Sequence, residues 1–341
     1  MPTTVGMNAQ NAWRGEELPT REDWLQTLSE EEVAQIEQTI ARSPASGRDI
    51  ESLTTDDLSL AGSPLSERLA KIQHNLEHGS GACLIKGLNV SGRSEDESRR
   101  LFWAIATQLG SPVSQSAAGE RIFSVRDEGF KIGQPQARGP NTSKRLSFHT
   151  DRCDVIAFLC LKQAKAGGEN QIVSSIAVYE EMKRQRPDLV EVLQQPFYYA
   201  RHNVDAGNEQ PWCRQPIFSF CDGHFACSYL RVLIDRAYAM SELPDMTDVQ
   251  REALDMLQQI AGQPDMHLTF RQEPGDLLLL NNWITLHRRE EFTDYDEPEL
   301  RRHILRIWLA MPNSRPIDPL FADNYGATAA GVVRGGMRAK L

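Results

Sequence analysis

The chain has 341 residues, 40% of them hydrophobic and 25% charged, enough to enclose a large core. Its formal net charge of −10 argues against nucleic acid as a partner, because that binding depends on neutralising phosphates with lysine and arginine. No run of about 18 apolar residues is present to span a bilayer, the start lacks a basic-then-apolar leader, and six cysteines without a C-x-x-C pair read as reduced thiols, so the expected location is cytoplasmic.

Ser29, followed by Glu30, Glu31 and Glu32 and by Val33, Ile36 and Ile40 at helical spacing, predicts a helix over 29–42 opened by a capping box. Leu65, Leu69, Ile72 and Leu76 predict a second over 64–78, stopped by Gly79. A strand over 81–87 and a helix over 94–109, stopped by Gly110, complete a mostly helical part, residues 1–120, in which no residue carries evident chemistry. From residue 122 the signals become short and strand-like, over 122–126, 155–161, 171–174, 217–220 and 225–229. A hairpin turn at Cys221-Asp222-Gly223-His224 joins the last two. Helical inserts are predicted over 178–194 and 247–260, and further strands over 267–271, 275–280 and 303–311. Residues 134–144 are the candidate for a mobile lid. The Gly- and Ala-rich tail from Asp323 reads as a disordered end or as a cavity cover.

Many short strands around a ligand-sized cavity point to a double-sheet jelly roll, mainly β with flanking helices (α+β). One domain is expected: 1–120 helical, 121–311 the jelly-roll core with helical inserts, 312–341 a tail.

The first chemistry lies in Ser147-Phe148-His149-Thr150-Asp151. On an extended strand residues two apart face the same way, so His149 and Asp151 would present an imidazole and a carboxylate together. His287, far downstream, would complete a 2-His-1-carboxylate face with open positions, the set suited to non-haem Fe(II). Taken alone, H-x-D is as readily a surface strand pair. Arg302, Ile304 and Arg306 would share a strand face, sending two guanidiniums into one cavity, where burial without an anion is costly. The planar guanidinium fork matches a carboxylate, so a dicarboxylate co-substrate fits that place. Arg301 and His303 read instead as a solvated strand end after the acidic run 294–297, and Cys153 and Trp283 as packing. Two other classes stay open on the residues. A zinc hydrolase also uses two His and a carboxylate, but it needs an acidic base beside its water and has no use for a buried arginine pair. The other is a metal-free jelly-roll binding protein.

The ordered set F-H-T-D at 148–151, A-G-G-E-N at 166–170, N-N-x4-H at Asn281, Asn282 and His287, and R-x3-R at Arg302 and Arg306 resembles the taurine dioxygenase and clavaminate synthase-like family of Fe(II)/2-oxoglutarate-dependent oxygenases, over residues 145–311. The resemblance implies His149, Asp151 and His287 as iron ligands and catalytic centre, with Fe(II), 2-oxoglutarate and O2 as cofactor and co-substrates. It implies Arg302 at the distal carboxylate of 2-oxoglutarate, and Arg306 at the substrate's anionic group or beside the co-substrate. Asn170 stands where the family commonly offers a threonine hydroxyl to 2-oxoglutarate; an amide also donates a hydrogen bond, and Ser174 or Ser175 could substitute. Arg145 stands where taurine-specific members carry another polar contact, so taurine is not implied. The implied reaction oxidises a small carboxylate-bearing molecule, such as an amino acid or derived metabolite. Hydroxylation, desaturation or cyclisation would accompany release of succinate and CO2, with Arg306, Arg145 and Arg126 as expected substrate-facing cations.

Overall fold

The run Leu277-Leu278-Leu279-Leu280 has no polar face, and such a strand is stable only when both of its sides are covered. It lies in the strand Leu277–Asn281, which pairs antiparallel with Ala82–Lys86 on one side and Val155–Lys162 on the other. The computed structural model, which describes residues 11–43, 48–129, 139–201 and 210–338, extends this pairing to a seven-stranded sheet. Leu25–Thr27 adds to one edge; His303–Ala310 adds to the other and carries both Ser111–Val113 and Ile122–Val125.

Leu277 and Leu279 point outward into a core with Ile36, Leu69, Ile72, Leu101 and Phe102, contributed by the helices Glu30–Arg42, Pro64–His78 and Glu95–Leu109. Leu278 and Leu280 point inward, where they meet Ile156, Trp308 and, from a second sheet, Ile172. That sheet has Asn170–Ser174 between His267–Phe270 and Thr285–Arg289. Its outer face, through Val173 and Leu286, packs on the helices Ser175–Gln185, Pro187–Leu193 and Asp248–Ala261. Two sheets thus enclose an inner space while helices cover each outer face. Strand alternation therefore decides which side chains can reach that space.

The capping box at Ser29 and the hairpin turn at 221–224 form as expected, and two further helices are capped in the same way. Ser29, Ser94 and Thr247 each accept the backbone N–H three residues on, and Glu32, Glu97 and Gln250 return the contact, closing three capping boxes worth about 1 kcal/mol each. Asp222 and Gly223, at φ 47° and 81°, make the turn between Phe218–Cys221 and His224–Cys227.

Other expectations need correction. The single helix over 178–194 is two, because Pro187 supplies no N–H and Arg186 before it lies at φ −146°, ψ 74°. The hairpin Phe197–Ala200 with Trp212–Gln215 and the helix Arg231–Tyr238 were not foreseen. Of the two readings of the tail, the disordered end is overturned and the cavity cover is met: Asn324, Tyr325 and Met337 line the cavity described below, Gly336 N–H donates to the Arg152 carbonyl and Met337 N–H to that of Ser114, each at 2.8 Å, and Arg334 Nε reaches buried Asp154 Oδ1 at 2.7 Å. Of the expected lid, residues 134–138 lie outside the described residues, whereas Gly139 and Pro140 line the cavity described below. All six cysteines are free thiols, and among the described residues no helix is long and apolar enough to cross a membrane.

Candidate metal centre

His149 and His287 meet through their backbones. Each donates its N–H to the other's carbonyl at 3.0 Å, forming an isolated antiparallel bridge. His287 belongs to the strand Thr285–Arg289, but the expected strand over 149–151 does not form. The neighbouring backbone groups bond elsewhere: Thr150 N–H donates to the Tyr229 carbonyl at 2.8 Å and Asp151 N–H to Asn282 Oδ1 at 3.0 Å. An extended segment pinned at three points takes the place of a ladder.

One ligand atom from each of His149, Asp151 and His287 lies within 4.8 Å of the others. His149 Nδ1 donates to the Ser147 carbonyl at 2.9 Å, which leaves Nε2 with its lone pair free. Burial, then His287, hold the His149 pKa down to about 4, so this imidazole is neutral at pH 7. Burial works to raise the Asp151 pKa, but Arg306 Nη1 and His287 Nε2, each 3.6 Å from Oδ2, hold the carboxyl well below its usual range. Asp151 Oδ2 and His287 Nδ1 are buried without a hydrogen-bond partner. A buried ionised oxygen with no donor, beside a neutral imidazole and a second histidine, is an arrangement completed by a dication. Two imidazoles and one carboxylate on one side suit non-haem iron.

The three residues stand in a cavity of about 410 Å³, a size suited to a small molecule. Arg302, Ile304 and Arg306 all line it, although the strand begins only at His303 and its register is irregular between His303 and Ile304. Arg302 is 3% exposed, burial pulls its pKa down to about 10, and its Nε and Nη1 have no partner. Arg306 Nε donates to Gln115 Oε1 at 2.6 Å, leaving Nη2 unpartnered. Asn170 also lines the cavity, its Nδ2 donating to Gln272 Oε1 at 3.1 Å. Just before it, Gly167 and Gly168 sit at φ 75° and 77°; a Cβ on Gly167 would lie 2.2 Å from the Glu291 carbonyl oxygen. That glycine pair lets the chain turn closely beneath Arg302.

The remaining candidates separate. Arg145 lines the cavity with its side chain half exposed, and its Nε pairs with Glu290 Oε2 at 3.1 Å. Arg126 is exposed and does not line the cavity: Val125 does, and the next residue on an extended chain points the other way. Neither Ser174 nor Ser175 lines the cavity; Ser174 Oγ caps the following helix and donates to the Asn11 carbonyl. Cys153 is buried, its Sγ accepting from Asn282 Nδ2, and Trp283 is buried with its Nε1 donating to Asp154.

Sequence reasoning missed two groups. Arg289 lines the cavity, and its position two residues after His287 on one strand was a readable signal. A polar wall was not readable, because it joins the unforeseen hairpin to the tail. In it Tyr199 OH donates to the Ser228 carbonyl at 2.8 Å, Gln215 Nε2 to Ser228 Oγ at 2.8 Å and Asn324 Nδ2 to Gln215 Oε1 at 2.9 Å. Among the described residues Asp151 is the single carboxylate lining the cavity, so the second acid that a zinc hydrolase requires is absent from it.

A family model described as the taurine catabolism dioxygenase TauD, TfdA family matches residues 46–308. The FR-33289 synthase of Streptomyces rubellomurinus is 29% identical over 332 residues, covering 95% of this chain and 96% of its own. The taurine hydroxylase-like protein SAT17 of Stachybotrys chartarum is 27% identical over 337 residues, covering 92% and 85%. A solved asparagine oxygenase, in complex with Fe(II), 2S,3S-3-hydroxyasparagine and succinate, matches with a TM-score of 0.62 at 17% identity, covering 84% of this chain and 93% of that one. The chain therefore belongs to the TauD, TfdA family and is a non-haem iron, 2-oxoglutarate-dependent dioxygenase.

Proposed function

We infer that the chain oxidises a small anionic molecule, an amino acid or a derived metabolite, at an iron held by His149, Asp151 and His287 inside a double-stranded β-helix formed by the two sheets. The observation that carries the substrate class is electrostatic. In a protein of net charge −10, nine arginines and one carboxylate, that of Asp151, line the cavity among the described residues; Arg145, Arg201, Arg231 and Arg288 pair with acids outside the lining, whereas Arg289, Arg302 and Arg306 keep donors free. With Asp151 committed to the metal, such a surface favours ligands bearing carboxylate or comparable anions. Relatives of this fold include an asparagine oxygenase found with hydroxyasparagine and succinate, which is consistent with an amino-acid-like substrate.

Bound iron with 2-oxoglutarate supplies the oxidising chemistry, in which O2 is consumed, the co-substrate loses CO2 to become succinate, and the substrate is oxidised. The chain's own residues bind and orient. Arg302, with Nε and Nη1 unsatisfied, takes the distal carboxylate of 2-oxoglutarate, and Asn170 stands beside it. Arg306 keeps Asp151 ionised, and its free Nη2 remains for an anionic group in the cavity. Phe158, Ile304 and Trp308 give the inner wall an apolar lining that limits water. Arg145, at a half-exposed position, supplies positive charge to an arriving anion.

The test is to add Fe(II) and 2-oxoglutarate to metal-free protein without oxygen and look for the visible charge-transfer band of the chelate. It is expected in the wild type and absent in His149→Ala. Succinate release is then screened across amino acids and related carboxylates. Folded, iron-loaded protein with no band would overturn the assignment of the site. Full turnover of an uncharged substrate by Arg306→Ala would overturn the substrate class.

A further inference from the structure

Arg289 has no role in the reading above, yet its surroundings repeat those of Arg302. It is 5% exposed, it lines the same cavity, and its Nε has no partner. Both guanidiniums lie against the ring of Phe292, with Arg289 Cζ 4.6 Å and Arg302 Cζ 5.2 Å from its centroid. Burial, then the charge of Arg302, pull the Arg289 pKa down to about 9.

The sheet register brings a third group to the same place. Arg289 is the direct cross-strand partner of Asn170 in the pairing of Thr285–Arg289 with Asn170–Ser174. Two residues before Asn170, a Cβ on Gly168 would lie 3.5 Å from Arg302 Nε. Two guanidiniums with unsatisfied donors and an amide therefore border the same part of the cavity. Two buried cations with donors left over favour an anion beside them; Asp294 lends negative charge to both but accepts from none of the free donors. The other end of Arg289 is fixed: Nη1 donates to the Thr142 carbonyl at 2.8 Å and Nη2 to that of Lys144. A guanidinium anchored on two carbonyls is pre-oriented, so its remaining N–H is presented at little entropic cost.

We propose that Arg289 is a second cation of the co-substrate pocket, sharing the distal carboxylate of 2-oxoglutarate with Arg302 and tying residues 142–144 to that carboxylate. This rests on the assignment of Arg302 and the iron site given above. It separates Arg289 from a purely structural arginine, which would hold the loop and be indifferent to what the co-substrate carries at its far end.

The experiment is an anaerobic titration of the Fe(II)-loaded protein with 2-oxoglutarate and with 2-oxopentanoate, a 2-oxo acid of equal chain length lacking the distal carboxylate, followed by the charge-transfer band. Arg289→Gln is expected to weaken 2-oxoglutarate tenfold or more while leaving 2-oxopentanoate within about twofold, as Arg302→Gln should. Arg289→Lys, which keeps the charge, should retain part of the preference. Equal weakening of both acids in Arg289→Gln, or no weakening of either, would overturn the proposal. If the glutamine variant does not fold, the lysine variant decides: an undiminished preference despite the altered donor geometry would count against a direct contact. Wild-type protein that binds neither acid would overturn the site assignment, and this inference with it.

Discussion

Asn282 Oδ1 accepts the backbone N–H of Asp151 at 3.0 Å across a sequence separation of 131 residues. One amide side chain thus sets where the Asp151 carboxylate can point, and its Nδ2 continues to the Cys153 thiol at 3.1 Å. Outer groups of this kind govern metal affinity without touching the metal. Asn282→Ala should weaken Fe(II) binding roughly 10–100-fold, with little change in secondary structure. A metal titration with circular dichroism as control checks this, and unchanged affinity would remove Asn282 from the site's support.

Protonation of His149 should make the iron-free protein sensitive to mild acid. Its pKa is 6.5 unfolded and about 4 folded, because burial and then His287 oppose the charge. Between those values the unfolded chain binds the proton and the folded chain does not, so stability falls as pH drops from about 6.5 to about 4 and levels off below. His267 and His303 are shifted in the same direction. The reading is therefore the difference between wild type and His149→Gln: urea midpoints at pH 7 and pH 4.5 should differ less in the variant. Equal differences would show that His149 is solvated.

The ion pair of Arg334 and Asp154 is one buried anchor of the tail. Arg334 Nε and Trp283 Nε1 both donate to Asp154 Oδ1, at 2.7 and 2.8 Å, and Asp154 Oδ2 accepts from Met311 N–H. Arg334→Met leaves that carboxylate buried without its cation, a change that costs about 3–5 kcal/mol. Because Asn324, Tyr325 and Met337 of the same segment line the cavity, substrate turnover should fall with stability. Denaturant unfolding checks the first expectation; a loss under 1 kcal/mol would be far too small for such a pair.

Two glycines with similar φ should respond differently to alanine. Gly62 and Gly167 have φ of 77° and 75°, but nothing lies within 4 Å of a Cβ at Gly62, whereas one at Gly167 meets the Glu291 carbonyl oxygen at 2.2 Å. Gly62→Ala should cost only the left-handed conformation, about 1 kcal/mol. Gly167→Ala should cost several times that and should also weaken 2-oxoglutarate, since the turn at 167–168 adjoins Arg302. Comparable thermal shifts in the two variants would contradict the close approach.

Much of the site was legible because it follows local periodicity. His149 and Asp151 are two apart on extended chain, Arg302 and Arg306 reach one cavity from a strand and its leading residue, and the capping box of Ser29 and Glu32 announced the helix Glu30–Arg42. Arg126 failed the same rule: once Val125 faces inward, its neighbour cannot.

The sequence by itself marked the candidate ligand types, the apolar strands and the bounds of the helices Glu30–Arg42, Pro64–His78 and Glu95–Leu109, since these depend on side-chain chemistry and on periods of 2 and 3.6 residues. Tertiary structure alone decided that Asn282 would reach Asp151, that Arg289 would stand opposite Asn170, and that Arg334 of the tail would pair with Asp154. Those contacts join residues far apart in the chain, and no local pattern encodes which distant donor will satisfy a given buried acceptor. They are fixed only when sheet register and packing bring the partners together.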